Sequence, residues 1–329
     1  MQKLISKDDI ILVTGGSGFL GGHVVSQLAS SGYNVVSVGN SKRPKKTTEK
    51  NILRVNIDLM DICEISRALA NIQPSVVVHL AAAVGGIGAN QKNPALFMYK
   101  NLQMGLNTIQ ASHAFNCKKF LMCGTVCSYP KFTTVPFREE DLWDGYPEET
   151  NAPYGIAKKT LMEMCLGYNE QYKFNCVNLI PVNLYGPCDN FDLNTSHVIP
   201  ALIRKIDEAN KAKEKEVVIW GTGKASREFL YVEDCARAIK LALELCDTPQ
   251  PINVGTGSEI TIKQLAIKIA DLLAFKGKLV FDASKPDGQP RRCLETSKAL
   301  KHFQFKAKTS LEKGLIYTIA WYLGEMYGE

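Results

Sequence analysis

The sequence predicts an α/β fold, a doubly wound parallel sheet with a smaller C-terminal α/β lobe. Three observations predict it. From Asp9 onward, short apolar runs alternate with longer segments of helical period, the runs lack polar alternation, and the first leads straight into a glycine-rich turn. Runs rich in Val, Ile and Leu without alternation are strands buried on both faces, so helices must cover the sheet on both sides. A chain of 329 residues suits one large or two ordinary domains. Its 45% hydrophobic and 22% charged residues exclude a disordered chain, and 25 Gly with 14 Pro exclude a fibrous one.

The strands expected in order are IILVT (10–14), NVVSV (34–38), SVVVHL (75–80), KFLMC (119–123) and CVNLI (176–180). After Pro181 the rhythm changes, with a loop rich in Asn, Asp, Gly and Pro over 181–197. A helix over about 198–210, a strand over 216–220 and helices near 233–246, 261–273 and 308–326 follow. The expected division is a dinucleotide-binding domain over 1–180 and a second lobe over 181–329, with about 221–255 returning to the first sheet. The last helix carries Leu315, Ile316, Ile319, Leu323 and Met326 at helical spacing, fit either to cap the small lobe or to meet a second copy.

Charge and cysteine usage narrow the function classes. The 39 Lys and Arg against 33 Asp and Glu leave +6, with KRPKK (42–46) as one short basic cluster, so no nucleic-acid footprint is expected. Ten cysteines are scattered without the regular spacing of a disulfide scaffold, and no Cys or His pattern has metal-site spacing. The N-terminus is too charged for a signal peptide, and no apolar stretch reaches roughly 18 residues. A cytoplasmic protein with no metal and no membrane partner is the expectation.

Directly after the first strand, TGGSGFLGG (14–22) sets Gly15, Gly18 and Gly21 at GxxGxxG spacing ahead of a helix. Such a turn brings backbone close to a pyrophosphate and aims free N–H groups at it, the Rossmann arrangement for a dinucleotide, with Ser17, Phe19 and Leu20 in the same turn. A carboxylate at the end of the second strand would select NAD, but that strand ends in Asn40, Lys42 and Arg43. Two cations there favour a 2′-phosphate, hence NADPH over NADH. Asp58, followed by Leu59, is expected at the adenine edge. Leu80, Ala81 and Ala82 provide small or flat surface beside the ribose and phosphates.

Tyr154 and Lys158, in PYGIAKKT, stand at i and i+4 on one helix face. An ammonium and an oxidised nicotinamide lower a nearby phenol, which makes Tyr154 a proton donor to a carbonyl undergoing reduction. Thr125 supplies a hydroxyl just past the fourth strand.

Together TGxxGxxG, Asp58, HLAA, a hydroxyl after strand four and YxxxK resemble the extended short-chain dehydrogenase/reductase superfamily. VGGIGANQKNPALFMYKN (84–101), CSYPK (127–131), NAPYGIAK (151–158), NLYGPCDNF (183–191), SHVIPALIRK (196–205), WGTGKASREFLYVED (220–234) and FDASKPDGQPRR (281–292) further resemble the GDP-L-fucose synthase family. That resemblance implies a 3,5-epimerase/4-reductase acting on a GDP-linked 4-keto sugar, with Cys127 and His197 exchanging protons at C-3 and C-5. It implies that Tyr154 and Thr125 stabilise the enolate oxygen and that Lys158 holds the nicotinamide ribose, with Pro181, Asn183, Leu184 and His197 also around the cofactor. For the sugar nucleotide it implies Val84, Gly85, Gly86, Asn183, Val198, Lys205, Trp220, Arg227 and Lys285. It further implies a homodimer built from two long helices per subunit. Thr125 stands where the family has serine, Val126 where a second serine is common and Cys188 where histidine is frequent. A C-4 reductase of another GDP-linked keto-hexose or heptose, working without epimerisation, remains an alternative. So, more remotely, does a non-catalytic dinucleotide-binding scaffold.

Overall fold

The computed structural model describes residues 3–39, 51–285 and 287–327. The chain runs β1 (Ile10–Thr14), α1 (Phe19–Ser30), β2 (Asn34–Val38), β3 (Ile52–Val55), α2 (Ile62–Ile72) and β4 (Val76–His79). A short α3 (Ile87–Lys92) then leads into α4 (Pro94–Ala114), β5 (Lys119–Cys123), α5 (Ala152–Tyr172) and β6 (Cys176–Pro181). The second half is β7 (Asn183–Tyr185), α6 (Val198–Lys211), β8 (Glu216–Trp220), β9 (Ser226–Tyr231), α7 (Val232–Leu245) and β10 (Ile252–Val254). It closes with β11 (Glu259–Thr261), α8 (Ile262–Leu272), β12 (Lys278–Asp282), α9 (Ser297–Phe303) and α10 (Leu311–Tyr327).

Seven strands form one sheet in the order β10-β6-β5-β4-β1-β2-β3, and every pairing in it is parallel. Chain order reverses between β1 and β4. In an open α/β sheet the crevice beyond the strand ends at that reversal is where ligands collect. The strands are apolar because both faces are covered: Val76, Val77, Val78, Phe120 and Leu121 have no exposed surface. The pairs α1 with α7 and α4 with α2 and α5 pack as neighbours over the sheet.

The smaller lobe holds a three-stranded sheet, β11-β9-β7, and a parallel pair, β12-β8. Its core gathers Ile203, Ile206, Leu265, Ile269, Leu315, Ile319 and Tyr322, so one stripe of α10 packs inward while Ile316 and Met326 stay exposed. Of the stretch 221–255 expected to return to the first sheet, β10 pairs with β6 and α7 packs against α1, whereas β9 joins the small three-stranded sheet.

Glu228 on β9 ties the lobes together. Its buried carboxylate accepts the N–H of Gly257 at 2.7 Å, the N–H of Leu294 at 2.6 Å, and both the N–H and the hydroxyl of Thr256. No helix among the described residues is long and apolar enough to cross a membrane.

Candidate active site

The β1–α1 turn is shaped for close approach. Gly15 has φ +68°, and a Cβ on Gly21 would lie 2.0 Å from the Gly15 carbonyl oxygen, so any larger residue there would push α1 off the turn. The α1 N-terminus has no side-chain cap and no acidic residue in its first turn, which leaves N–H groups and the positive helix end to an anion. Ser17 and Gly18 are exposed and Phe19 and Leu20 half-buried along this turn.

Beneath the crevice lies a polar lock that sequence reasoning missed. The Thr14 hydroxyl accepts the N–H groups of Leu80 (3.2 Å) and Ala81 (3.3 Å), so its own proton goes to His79 Nδ1 at 3.0 Å. Burial, with Lys158 nearby, pushes the His79 imidazolium down to about 3, so the ring is neutral. Both residues open motifs read from the sequence, Thr14 the TGG turn and His79 HLAA, and that membership was the available signal. The lock fixes the Leu80–Ala82 backbone, against which the Gly15 turn packs.

Asp58 is exposed just after β3, with Oδ1 accepting the Met60 N–H at 2.9 Å, while Leu59 is buried below it. Asn40, Lys42 and Arg43 lie outside the described residues.

Tyr154, Lys158, Thr125 and Cys127 come together at the end of β5 and the start of α5. Thr125 caps the 3₁₀ turn Val126–Ser128, its hydroxyl accepting the Cys127 N–H at 3.2 Å. Gly155 lets α5 press onto that turn, because a Cβ there would stand 2.3 Å from the Cys127 carbonyl oxygen, and the Ser128 hydroxyl donates to the Gly155 carbonyl at 2.9 Å. Burial pushes the Tyr154 phenol well above its ordinary value, the thiols of Cys127 and Cys123 add to this, and a hydrogen bond with Thr125 opposes it. The lowering expected from Lys158 is therefore absent from the protein by itself. Lys158 is also buried, which weakens its own ammonium, and it makes no hydrogen bond among the described residues. A buried, uncommitted Nζ beside a glycine cradle and an uncapped helix end fits a nicotinamide dinucleotide.

His197 stands at the N-cap position of α6. Its residue surface is open to water, yet protein crowds the ring. That crowding lowers its imidazolium, and the Arg292 charge lowers it further. The Gly86 N–H binds the Thr195 carbonyl (3.0 Å), and Asn90 Nδ2 donates to the Gly85 carbonyl (2.9 Å), so the Val84–Gly86 loop is laced to the segment carrying His197. In that same segment Asp189 is buried, with Oδ1 accepting the Asn190 N–H at 2.7 Å and Oδ2 without a partner. Burial pushes its carboxyl up to about 7. Val198, Pro181 and Leu184 are half-buried alongside.

The end of the crevice beside β8 and β9 is cationic and aromatic. Trp220, at the end of β8, is 60% exposed, with Lys205 Nζ 5.6 Å and Lys285 Nζ 5.5 Å from its ring centroid. Burial, and then the Arg292 charge, push the Arg227 guanidinium down to about 9. Arg227 donates to the backbone carbonyls of Ser226 (2.7 Å) and Asp287 (3.0 Å). Asn183 bridges inward, donating to the Glu228 carbonyl at 3.0 Å and accepting from Arg292 at 3.5 Å. Two crowded guanidinium groups, neither hydrogen-bonded to a carboxylate among the described residues, suit this part of the crevice to an anion. Arg292 was missed because Lys285, in the same quoted motif, drew the phosphate expectation.

Among the described residues no cluster of His, Cys, Asp and Glu could hold a metal ion. A separate cavity of about 810 Å³, lined by residues such as Gln264, Lys268, Leu300 and Lys306, contains none of these groups.

A parallel doubly wound sheet with a glycine turn at its switch point, and a Tyr–Lys pair with a hydroxyl at the end of the neighbouring β5, defines a class of dinucleotide-dependent reductases and epimerases. Residues 11–255 match the NAD dependent epimerase/dehydratase family, and the chain belongs to it. The chain is 39% identical to "Probable GDP-L-fucose synthase 1" of Oryza sativa subsp. japonica, covering 97% of this chain and 94% of that protein. It is 42% identical to the GDP-L-fucose synthase of Escherichia coli K12, covering 82% and 87%. In structure it is similar to a GDP-L-fucose synthetase from Naegleria fowleri bound to NADP, with TM-score 0.84, 29% identity and coverage of 99% and 98%.

Proposed function

We infer that this protein is an NADPH-dependent epimerase-reductase that converts GDP-4-keto-6-deoxy-D-mannose to GDP-L-fucose. The observation that carries this reading is that the Cys127 thiol stands beside the Tyr154 phenol, close enough for the charge of one to bear on the other. A ketone reductase alone needs the phenol; an adjacent thiol and an accessible imidazole add proton exchange. Those two groups disfavour a C-4 reductase without epimerisation, and the chemically intact set disfavours a non-catalytic scaffold.

The C-4 ketone acidifies the hydrogens on C-3 and C-5. Cys127 takes a proton from each carbon in turn and His197 returns one, with the enolate oxygen held by Tyr154 and Thr125. Once bound, the dinucleotide supplies hydride to C-4. Tyr154, kept protonated by its burial, donates its proton to the C-4 oxygen, and Lys158 holds the nicotinamide ribose. Lys42 and Arg43 take the 2′-phosphate, and Asp58 the adenine. Trp220 forms a wall for the guanosine, with Lys205, Arg227 and Lys285 at the diphosphate and Asn183, Val198 and the Val84–Gly86 loop lining the sugar. In this reading residues 1–180 with the returning α7 and β10 hold the cofactor, and the rest of 181–329 holds the sugar nucleotide.

A homodimer through α4 and α5 belongs to the same proposal, supported by Leu96, Tyr99 and Leu106 exposed along α4 and Tyr172 on α5. A cytoplasmic location is supported by ten free thiols.

Incubation in heavy water with NADPH and GDP-4-keto-6-deoxymannose, followed by NMR, tests the reading. Deuterium at C-3 and C-5 of a fuco-configured product is expected. Cys127→Ser should abolish the exchange, and Tyr154→Phe should retain NADPH binding while reduction falls at least about a hundredfold. Reduction without deuterium at either carbon would overturn it.

A further inference from the structure

Arg292 is a buried cation with no carboxylate among its hydrogen-bond partners in the described residues. Its Nε and Nη2 donate to Gln289 Oε1 at 3.2 and 3.0 Å, and Gln289 is anchored in turn by its Nε2 to the Lys131 carbonyl at 3.1 Å. Both residues are almost wholly buried, Arg292 at 6% and Gln289 at 3% exposure. The neutral amide thus fixes one edge of the guanidinium without neutralising it. The other edge, Nη1, faces Asn183 Oδ1 at 3.5 Å and the Cys127 sulfur at 3.7 Å.

We propose that Arg292 is a positioning residue for proton exchange: its guanidinium, clamped along one edge by Gln289, donates to the Cys127 sulfur and aims it at the substrate. A donor with fixed charge at hydrogen-bond distance from sulfur favours S⁻ over S–H, both by Coulomb attraction and by donation to the charged form. The groups that face this sulfur are Arg292, Arg227 from β9 and the Tyr154 phenol from α5. The phenol is neutral and the other two are cations, so both formal charges favour the thiolate. The same guanidinium disfavours a second cation on His197, so that ring gives up a proton readily.

The exchange balances on these groups. The thiolate accepts H⁺ from C-3 or C-5, forming S–H as the C–H electron pair moves into the enolate. Imidazolium of His197, charged from the solvent it is open to, delivers H⁺ to that carbon. The thiol then returns its proton to solvent and the neutral imidazole takes a new one from it, which is why the incoming hydrogen carries the solvent isotope.

The proposal rests on the reading of Cys127 as a base, and its test separates the two. Carbamidomethylation of Cys127 by iodoacetamide is followed by peptide mass spectrometry against pH in the substrate-free protein, with Cys127→Ser as background. Arg292→Gln is expected to raise the pH midpoint by about one unit or more, and Arg292→Lys to recover part of the shift. Unchanged NADPH binding certifies the fold of each variant. With substrate, Arg292→Gln should slow deuterium exchange at C-3 and C-5 about tenfold, and more than it slows reduction of an already epimerised ketone. An unmoved midpoint with only the KM for the nucleotide sugar raised overturns the proposal and makes Arg292 a phosphate ligand. A shifted midpoint together with undiminished exchange in Cys127→Ser upholds the Arg292–sulfur relation and overturns instead the reading of Cys127 as base.

Discussion

The carbonyl oxygen of Cys127 lies 2.3 Å from where the first side-chain carbon of residue 155 would begin, so Gly155 is the point at which α5 touches the turn bearing the thiol. Tyr154 precedes that contact and Lys158 follows it by just under one helical turn. The spacing between phenol and thiol is set by a missing methyl group.

Gly155→Ala reverses the usual sign of helix propensity. Alanine in a helix interior ordinarily gains about 1 kcal/mol over glycine. Here the overpacking costs about 1–3 kcal/mol. Thermal unfolding should show a net loss of stability, and exchange and reduction should fall together because both groups shift.

Asp189 makes stability depend on pH in the less common direction. Its folded carboxyl sits at about 7, above an unfolded value near 3.9, so between those limits the folded state holds more protons. Its contribution is therefore full at low pH, is lost as pH rises from about 4 to 7, and changes little beyond. Asp189→Asn should be more stable than the parent at pH 8, by roughly 1–4 kcal/mol, and indistinguishable near pH 4. Denaturant titrations at the two pH values check it.

Trp220→Ala removes an exposed ring with two ammonium groups within 6 Å of its centroid. GDP binding should weaken about tenfold by calorimetry while NADPH binding is unaffected.

Replacing Lys42 and Arg43 together by Ala should raise the KM for NADPH at least about tenfold and that for NADH much less. Equal effects on both cofactors would remove the 2′-phosphate from these residues.

Most of the large sheet was legible because most of its strands are buried on both faces and so are written as largely apolar runs; β1, β2 and β5 begin and end where the runs do. β3 escaped because Leu53 is exposed and Arg54 interrupts the run, as suits an edge strand with one neighbour. β10 escaped because it has three residues, one of them Asn253, whose side chain is spent holding the Phe137 and Glu295 carbonyls. The glycine turn and the Tyr154–Lys158 pair are local in sequence and were readable. Arg292 and Cys127 are 165 residues apart, and no periodicity encodes a contact made only by the folded chain. For the Tyr154 phenol, helical spacing reveals that Lys158 shares its face but not that burial is the largest influence on it in the protein by itself.

Glu228 sets how this molecule can breathe. One carboxylate is shared by the strand it belongs to, the segment that continues from the last strand of the large sheet, and the stretch just beyond Arg292. Spreading the two halves like a clamshell would strip a buried anion of its donors, at a cost of several kcal/mol. Rigid hinge opening is thereby a costly route, and movement of rim segments and side chains over a shut frame is the cheaper one.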